Sequence, residues 1–314
     1  MTLPSFERVN YALRPAKNVE RKMLVEAFRK LIGFAPPEEY RYVGFGATHF
    51  IDFALFHRQL EMGKMVSVEI HENKRRRVEF NRPFKCIELE FGSSNEVLPR
   101  LSWNERTIAW LDYDYKLDSS VLTDAGFFSS RALSGSVLII TVDAEKEDPD
   151  GRVERLREAV GSDRVPHDVT RKVLAQEWGL AAVSRRIVEN AILETLADRN
   201  GPLATGKRMR YRQLFNFRYK DGARMATFGG VFYDEMDEKI LEGCRFHELS
   251  FVCAGENAYV IEVPILTHRE IIRLDSQLPC SDPGMIECPG VSAEDVRRYS
   301  HVYRWFPVFV EAEL

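Results

Sequence analysis

Long apolar runs are missing from this chain of 314 residues. The longest, Ser136 to Val142, falls far short of the roughly 18 apolar residues that a membrane span needs. Met1 to Asn10 carries Glu7 and Arg8 and no apolar h-region, which argues against a secretory signal. Cysteine is scarce. Cys86, Cys244, Cys253, Cys280 and Cys288 are too scattered for a disulfide framework or a CxxC zinc site, and they point to a reducing, cytoplasmic setting. Charge of one sign is not in excess either. The 44 Lys and Arg against 48 Asp and Glu leave a net −4, which speaks against a dedicated nucleic-acid binder. No GxxxxGK[ST] occurs, so a P-loop nucleotidase is excluded. With 45% hydrophobic and 29% charged residues, what remains is a soluble globular protein of one large domain or two small ones.

The first half alternates short apolar runs with helical stretches. A helix is expected over 18–34, with Met23, Leu24, Ala27, Phe28 and Leu31 on one face and Pro36-Pro37 as its stop. Strands are expected at Tyr40 to Val43, Met65 to Val68, Cys86 to Glu90, Thr107 to Leu111 and Val137 to Val142, with helices between them. The runs are nearly continuously apolar, as in Val137-Leu138-Ile139-Ile140, which indicates a parallel sheet covered on both faces. That is a doubly wound α/β sheet, whose ligands bind beyond the carboxyl ends of the strands. A helical segment is expected over 150–200 and a hairpin over 210–233, turning at Asp221-Gly222. A second hairpin is expected from Leu249 to Pro264, and helices near Thr267 to Leu278 and Ala293 to Val302. The reading divides the chain into a domain over 1–235, with its βα core at 40–145, and a small α+β extension over 236–314.

Gly44-Phe45-Gly46 ends the first strand, where glycines let the backbone approach a ligand and the next helix offers free N–H groups. Glu69 follows 23 residues after Gly46 at the tip of the second strand, where a carboxylate can accept both hydroxyls of a ribose. Ala47-Thr48-His49 lacks the third glycine of GxGxxG, which argues against a nicotinamide dinucleotide. Asp112 and Asp114 sit at i and i+2 at the end of strand four, so both carboxylates can meet one ligand. They can hold Mg²⁺ or Ca²⁺ with the help of waters, or one can act as a general base. Asp143 and Glu145, at the end of strand five, are possible contributors. His49 faces the ligand or caps the turn, and His71 flanks the nucleoside or is an exposed loop residue. Tyr11, Arg14 and Lys17 precede the expected first helix, and a cationic pair there suits a carboxylate or phosphate.

This layout, over about Tyr40 to Tyr233, resembles the class I S-adenosylmethionine-dependent methyltransferases, and more closely a group of bacterial O-methyltransferase-like proteins. The resemblance implies a Rossmann-like sheet that is parallel with an antiparallel hairpin at one end. It implies that Gly44, Phe45 and Gly46 lie under the methionine part of the cofactor and that Glu69 holds the ribose, with His71 beside it. Gly92-Ser93-Ser94 falls at the adenine, giving Ser93 and Ser94 as contacts, and Asp112-Tyr113-Asp114 faces the methyl group and the acceptor. Asp112 is thus expected at both cofactor and acceptor, and Asp114 and Asp143 as further catalytic carboxylates. The metal reading is similar to the metal-dependent small-molecule O-methyltransferases, although no matched third ligand is evident. The chain departs from the family pattern in having Tyr42 where an acid usually precedes the first glycine, Thr48 at the third glycine, and serines at the adenine-side acid.

The expected activity is methyl transfer from S-adenosylmethionine to an oxygen or nitrogen nucleophile. The competing reading is a non-catalytic nucleotide- or S-adenosylmethionine-binding component of a multiprotein assembly. A third is a nucleic-acid modifier, which needs Arg210, Arg212 and Arg218 of the hairpin exposed together. Strict alternation instead puts Tyr211, Gln213, Phe215, Phe217 and Tyr219 on one buried face and the arginines on the other. The basic run Lys74 to Arg77 reads as a solvated helix face.

Overall fold

The computed structural model describes residues 14–307. Helix α1 (Pro15–Arg29) runs into a 3-10 turn at Lys30–Gly33. It starts earlier than expected because Pro15 occupies the first helical position, where its missing N–H costs nothing and its φ is already helical. Strands β1 (Arg41–Gly44), β2 (Lys64–Glu69), β3 (Ile87–Phe91), β4 (Thr107–Asp112) and β5 (Val137–Asp143) are parallel. Between them lie α2 (Ile51–Leu60), α3 (Arg75–Asn81), α4 (Ser94–Val97) and α5 (Ser119–Arg131). Helices α6 (Arg152–Val160), α7 (Arg171–Ala175) and α8 (Gly179–Asn200) lead to the long hairpin β6 (Met209–Asp221) and β7 (Ala223–Asp234). The sheet order is β3-β2-β1-β4-β5-β7-β6-β8, with β7 antiparallel to both of its neighbours. The parallel part is what the strand pattern predicts, and the antiparallel hairpin at one end is what the family resemblance implies.

Each central strand feeds two cores, which is why its sequence is apolar throughout. Ile108, Trp110, Val137 and Ile139 face α1 and α2, whereas Ala109, Leu111, Leu138 and Ile140 face α5 and α8. Switching from strand periodicity to one-sided helices on both faces leaves only the strand ends open for a ligand.

Two expectations about the later segments are corrected. Leu249 to Pro264 forms no hairpin. Only β8 (Tyr259–Ile261) is a strand, and it extends the sheet by pairing in parallel with β6. After it come α9's successors in the chain: α9 itself is Glu238–Gly243, and α10 (His268–Asp275) and α11 (Ala293–Val302) follow β8. The strict alternation in β6 also fails, because Leu214 is the extra residue of a bulge between Gln213 and Phe215. One inserted residue flips every later side chain to the other face. Tyr211 therefore packs with the α8-side core while Phe215, Phe217 and Tyr219 join the α1-side core. Arg218, beyond the flip, lies on the opposite face of the sheet from Arg210 and Arg212. Those two pair with Glu235 and Glu238. The exposed arginine stripe needed by the nucleic-acid reading does not form.

Candidate active site

The carboxyl ends of β1, β2 and β4 open into a cleft of about 360 Å³ beneath the start of α1. The hairpin turn holds α1 in place there. Asp221 accepts hydrogen bonds from the backbone N–H groups of Ala16 (3.1 Å) and Lys17 (2.9 Å), which satisfies two orphan donors and complements the helix dipole. Lys17 is thus inside the helix and not in a preceding arm. Arg14 and Arg21 face the cleft from the same helix end. Tyr11 lies outside the described residues.

Of the residues singled out in the sequence, Phe45, Gly46, Glu69, His71, Ser93 and Ser94 line this cleft, as do Asp112 and Asp114. Gly44 and Asp143 do not. Gly44 is buried beneath the Tyr42 ring, and a Cβ there would stand 2.6 Å from the Tyr42 hydroxyl oxygen. Asp143 is turned aside: it accepts from Lys116 Nζ at 3.2 Å and from the Glu145 N–H at 2.6 Å. Glu145 in turn pairs with Arg224. Strand five therefore brings no carboxylate to the cleft lining.

The glycine turn works differently from the expectation. Gly46 N–H donates to Ser67 Oγ at 3.1 Å, so it is already used. A Cβ on Gly46 would lie 2.5 Å from the Phe50 ring and 2.7 Å from Ser67 Oγ. The constraint is packing against α2's entry and not a positive φ, which falls at Ala47 and Phe50 instead. Gly46→Val should accordingly destabilise the fold itself, by about 1–3 kcal/mol through overpacking. Chemical denaturation measures this, and a variant as stable as the parent would refute the packing account.

Glu69 is buried, accepts from the His71 N–H at 2.8 Å through Oε1, and burial pushes its carboxyl above the ordinary range. At the far end, Ser93 caps α4 reciprocally with Glu96. Tyr113 and Phe45 meet edge to face with ring centroids 5.2 Å apart, and Tyr113 meets Tyr115 at 5.3 Å. These three rings make one wall of the cleft. Behind it the buried Asp124 accepts from Tyr113 Oη and Asn95 Nδ2, both at 2.6 Å. Asp124 was not legible as a site feature, since nothing local in the sequence marks an α5 carboxylate as the partner of Tyr113.

Asp112 is not a free carboxylate. Its Oδ1 receives Lys17 Nζ at 2.9 Å, and that ammonium is 0% exposed. Lys17 also pairs with the fully buried Glu20 at 2.9 Å, donates to Tyr219 Oη at 3.1 Å and lies 4.3 Å from the centre of the Trp110 ring. Burial raises the Glu20 carboxyl above its ordinary value. With one Asp112 oxygen held by an ammonium, the pair Asp112 and Asp114 is a poor cation site. Among the described residues no group of three or more His, Cys, Asp or Glu is placed to hold a metal ion. The Mg²⁺ expectation is therefore not carried forward.

Sequence reasoning missed a second charged pair. Asp52, in the first turn of α2, accepts from the Tyr42 hydroxyl, and burial raises its carboxyl above the ordinary range despite the nearby Arg21 guanidinium. Both Asp52 and Arg21 line the cleft. So an acid does stand beside the glycine turn, reaching Tyr42 from the following helix and not from β1. Arg21 is 5% exposed and its Nε has no hydrogen-bond partner. His49 lies at the rim, its pKa held below the usual value by partial burial and by the nearby Arg77 and Arg21.

No curated protein matches the chain. Among solved structures, Trm1 from Pyrococcus horikoshii with S-adenosyl-L-methionine is 11% identical with a TM-score of 0.49, covering 76% of this chain and 61% of that one. LepI with S-adenosylhomocysteine (SAH) and a substrate analogue is 11% identical with a TM-score of 0.36, over 63% of this chain and 44% of that one. The chain thus spans less than two thirds of either. An O-methyltransferase from Bacillus cereus with SAH is 13% identical with a TM-score of 0.40, over 72% and 86%. Residues 9–314 match the profile of the family described as "Putative O-methyltransferase", which is nearly the whole chain. The protein belongs to that family.

Proposed function

We propose that the protein transfers a methyl group from S-adenosylmethionine to an oxygen nucleophile, with the cofactor in the cleft at the ends of β1, β2 and β4. The observation that carries this reading is the sequence of complementary groups along that cleft. Buried Glu69 is suited to a ribose diol, and the Phe45, Tyr113 and Tyr115 rings with Ser93 and Ser94 to a purine. At the α1 end, Arg21 with its unpartnered Nε and the Asp52 carboxylate suit the carboxylate and ammonium of an amino acid. A buried guanidinium atom with no hydrogen-bond partner is costly unless a ligand completes it. When bound, S-adenosylmethionine supplies an electrophilic methyl on a sulfonium. The chain's own work is to bind, to align the acceptor and to take its proton. Asp114, exposed at the cleft and outside the Lys17 network, is assigned as the general base. Asp112 is assigned a positioning role, held by its contact with Lys17.

Calorimetric titration with S-adenosylmethionine and SAH beside ATP and NAD tests the reading. The first two should bind and the others should not; no binding of SAH would overturn it. Glu69→Gln should weaken SAH binding by about 1–3 kcal/mol, because charge-assisted bonds become neutral ones. The same change should leave the unliganded protein as stable or more so. Burial raises the folded-state pKa of Glu69 above its unfolded value, so its ionised form costs stability at neutral pH and the cost fades only as pH falls. Thermal unfolding with and without SAH reads both effects. A loss of stability without a loss of affinity would refute the ribose assignment.

A further inference from the structure

A second cavity, about 40 Å³ in volume, lies beyond the end of strand five, on the other side of the 113–118 loop from the cleft. Tyr115 faces the cleft, whereas Lys116 and Leu117 face this cavity. Four cationic side chains line it, Lys116, Lys146, Arg152 and Arg155, against the single acid Glu147. Two of these cations are already matched: Lys116 pairs with Asp143, and Arg155 with Glu147 at 3.0 Å. Arg152 is different. It is 8% exposed, its Nη2 donates only to the Glu147 backbone oxygen at 2.8 Å, and its Nε has no hydrogen-bond partner. Among the described residues no carboxylate pairs with it, while exposed Lys146 stands at the same cavity.

A guanidinium taken out of water without a counter-charge is strongly unfavourable. The space beside Arg152 is several times the about 10–15 Å³ that a single water requires, and its remaining walls include the apolar Leu156, Leu174 and Leu180. We propose that this cavity is an oxyanion site, in which a phosphate or the carboxylate of a small organic acid accepts from Arg152 and Lys146. An oxyanion supplies both the missing charge and the missing acceptor, which a water or a neutral solute does not. The site is separate from the cofactor cleft and does not depend on the cofactor assignment.

The test is calorimetric titration of the full chain with inorganic phosphate and with isobutyrate, using isobutanol as the neutral control. At least one oxyanion should bind saturably in the millimolar range or tighter, and isobutanol should not. Which of the two binds better identifies the source of the oxyanion. Arg152→Gln or Lys146→Ala should weaken that binding by about tenfold or more, with SAH binding unchanged. If Arg152→Gln does not fold, as judged by circular dichroism, the exposed Lys146→Ala decides alone. Absence of saturable binding by both oxyanions, or binding undiminished in the folded variants, would overturn the proposal.

Discussion

Asp114→Asn should lower turnover by about 10²-fold or more while leaving the affinity for S-adenosylmethionine within about threefold. Asn keeps the size of the side chain and removes the proton acceptor. The position is chosen on geometry. Asp114 is exposed at the cleft just beyond the last residue of β4, whereas Asp112 has an oxygen held at 2.9 Å by a buried ammonium. That contact already occupies one of its oxygens, whereas Asp114 lies outside the Lys17 network. Asp112→Asn should therefore show the other signature, weaker cofactor binding with a smaller effect on the chemical step. Release of SAH with an acceptor found by screening hydroxylated small molecules gives kcat, and calorimetry gives affinity. EDTA should change neither, because the Lys17 contact takes the place a cation would need. If Asp114→Asn turns over as the parent does, the base lies elsewhere, and His49 at the rim, with its depressed pKa, becomes the next position to test.

The fold was legible because its strongest constraints are local. A strand buried on both faces is nearly continuously apolar, as β4 and β5 are, and all five parallel strands match their expected spans to within a residue or so at each end. The glycine turn, Glu69 and the β4 carboxylates were legible for a related reason: each follows directly from where its strand ends. What could not be read is whatever depends on contacts between distant segments. Lys17 and Asp112 are 95 residues apart, and Tyr113 and Asp124 meet across a strand and a helix. The Leu214 bulge is also a tertiary matter. Nothing in Gln213-Leu214-Phe215 signals an insertion, which shows only in how β6 pairs with β7. The start of α1, three residues before position 18, is marked in the sequence by Pro15 itself, which suits the first helical position.

Lys17→Met should destabilise the protein by about 3–5 kcal/mol near pH 8, the cost expected when one partner of a buried ion pair is removed. Among the described residues, Lys17 is the cation shared by Glu20, which has no exposed surface, and Asp112, which is partly solvated. Without it Asp112 can draw on water, but Glu20 cannot. Burial already raises Glu20 above its ordinary value of 4.5 in the presence of Lys17, and removing the ammonium raises it further. For an acid whose folded-state pKa exceeds its unfolded one, the folded state holds the proton more tightly, so stability falls as pH rises from the unfolded value through the folded one. The deficit of Lys17→Met relative to the parent should thus grow from pH 5.5 to pH 8. Urea denaturation at the two pH values measures it. Lys17→Met combined with Glu20→Leu should recover much of the loss, since a buried pair replaced by apolar side chains leaves no stranded charge. A deficit that is the same at both pH values, and that the second substitution fails to repair, would mean that Lys17 matters for its packing against Trp110 and not for the charge it balances beneath the strand-four carboxylate.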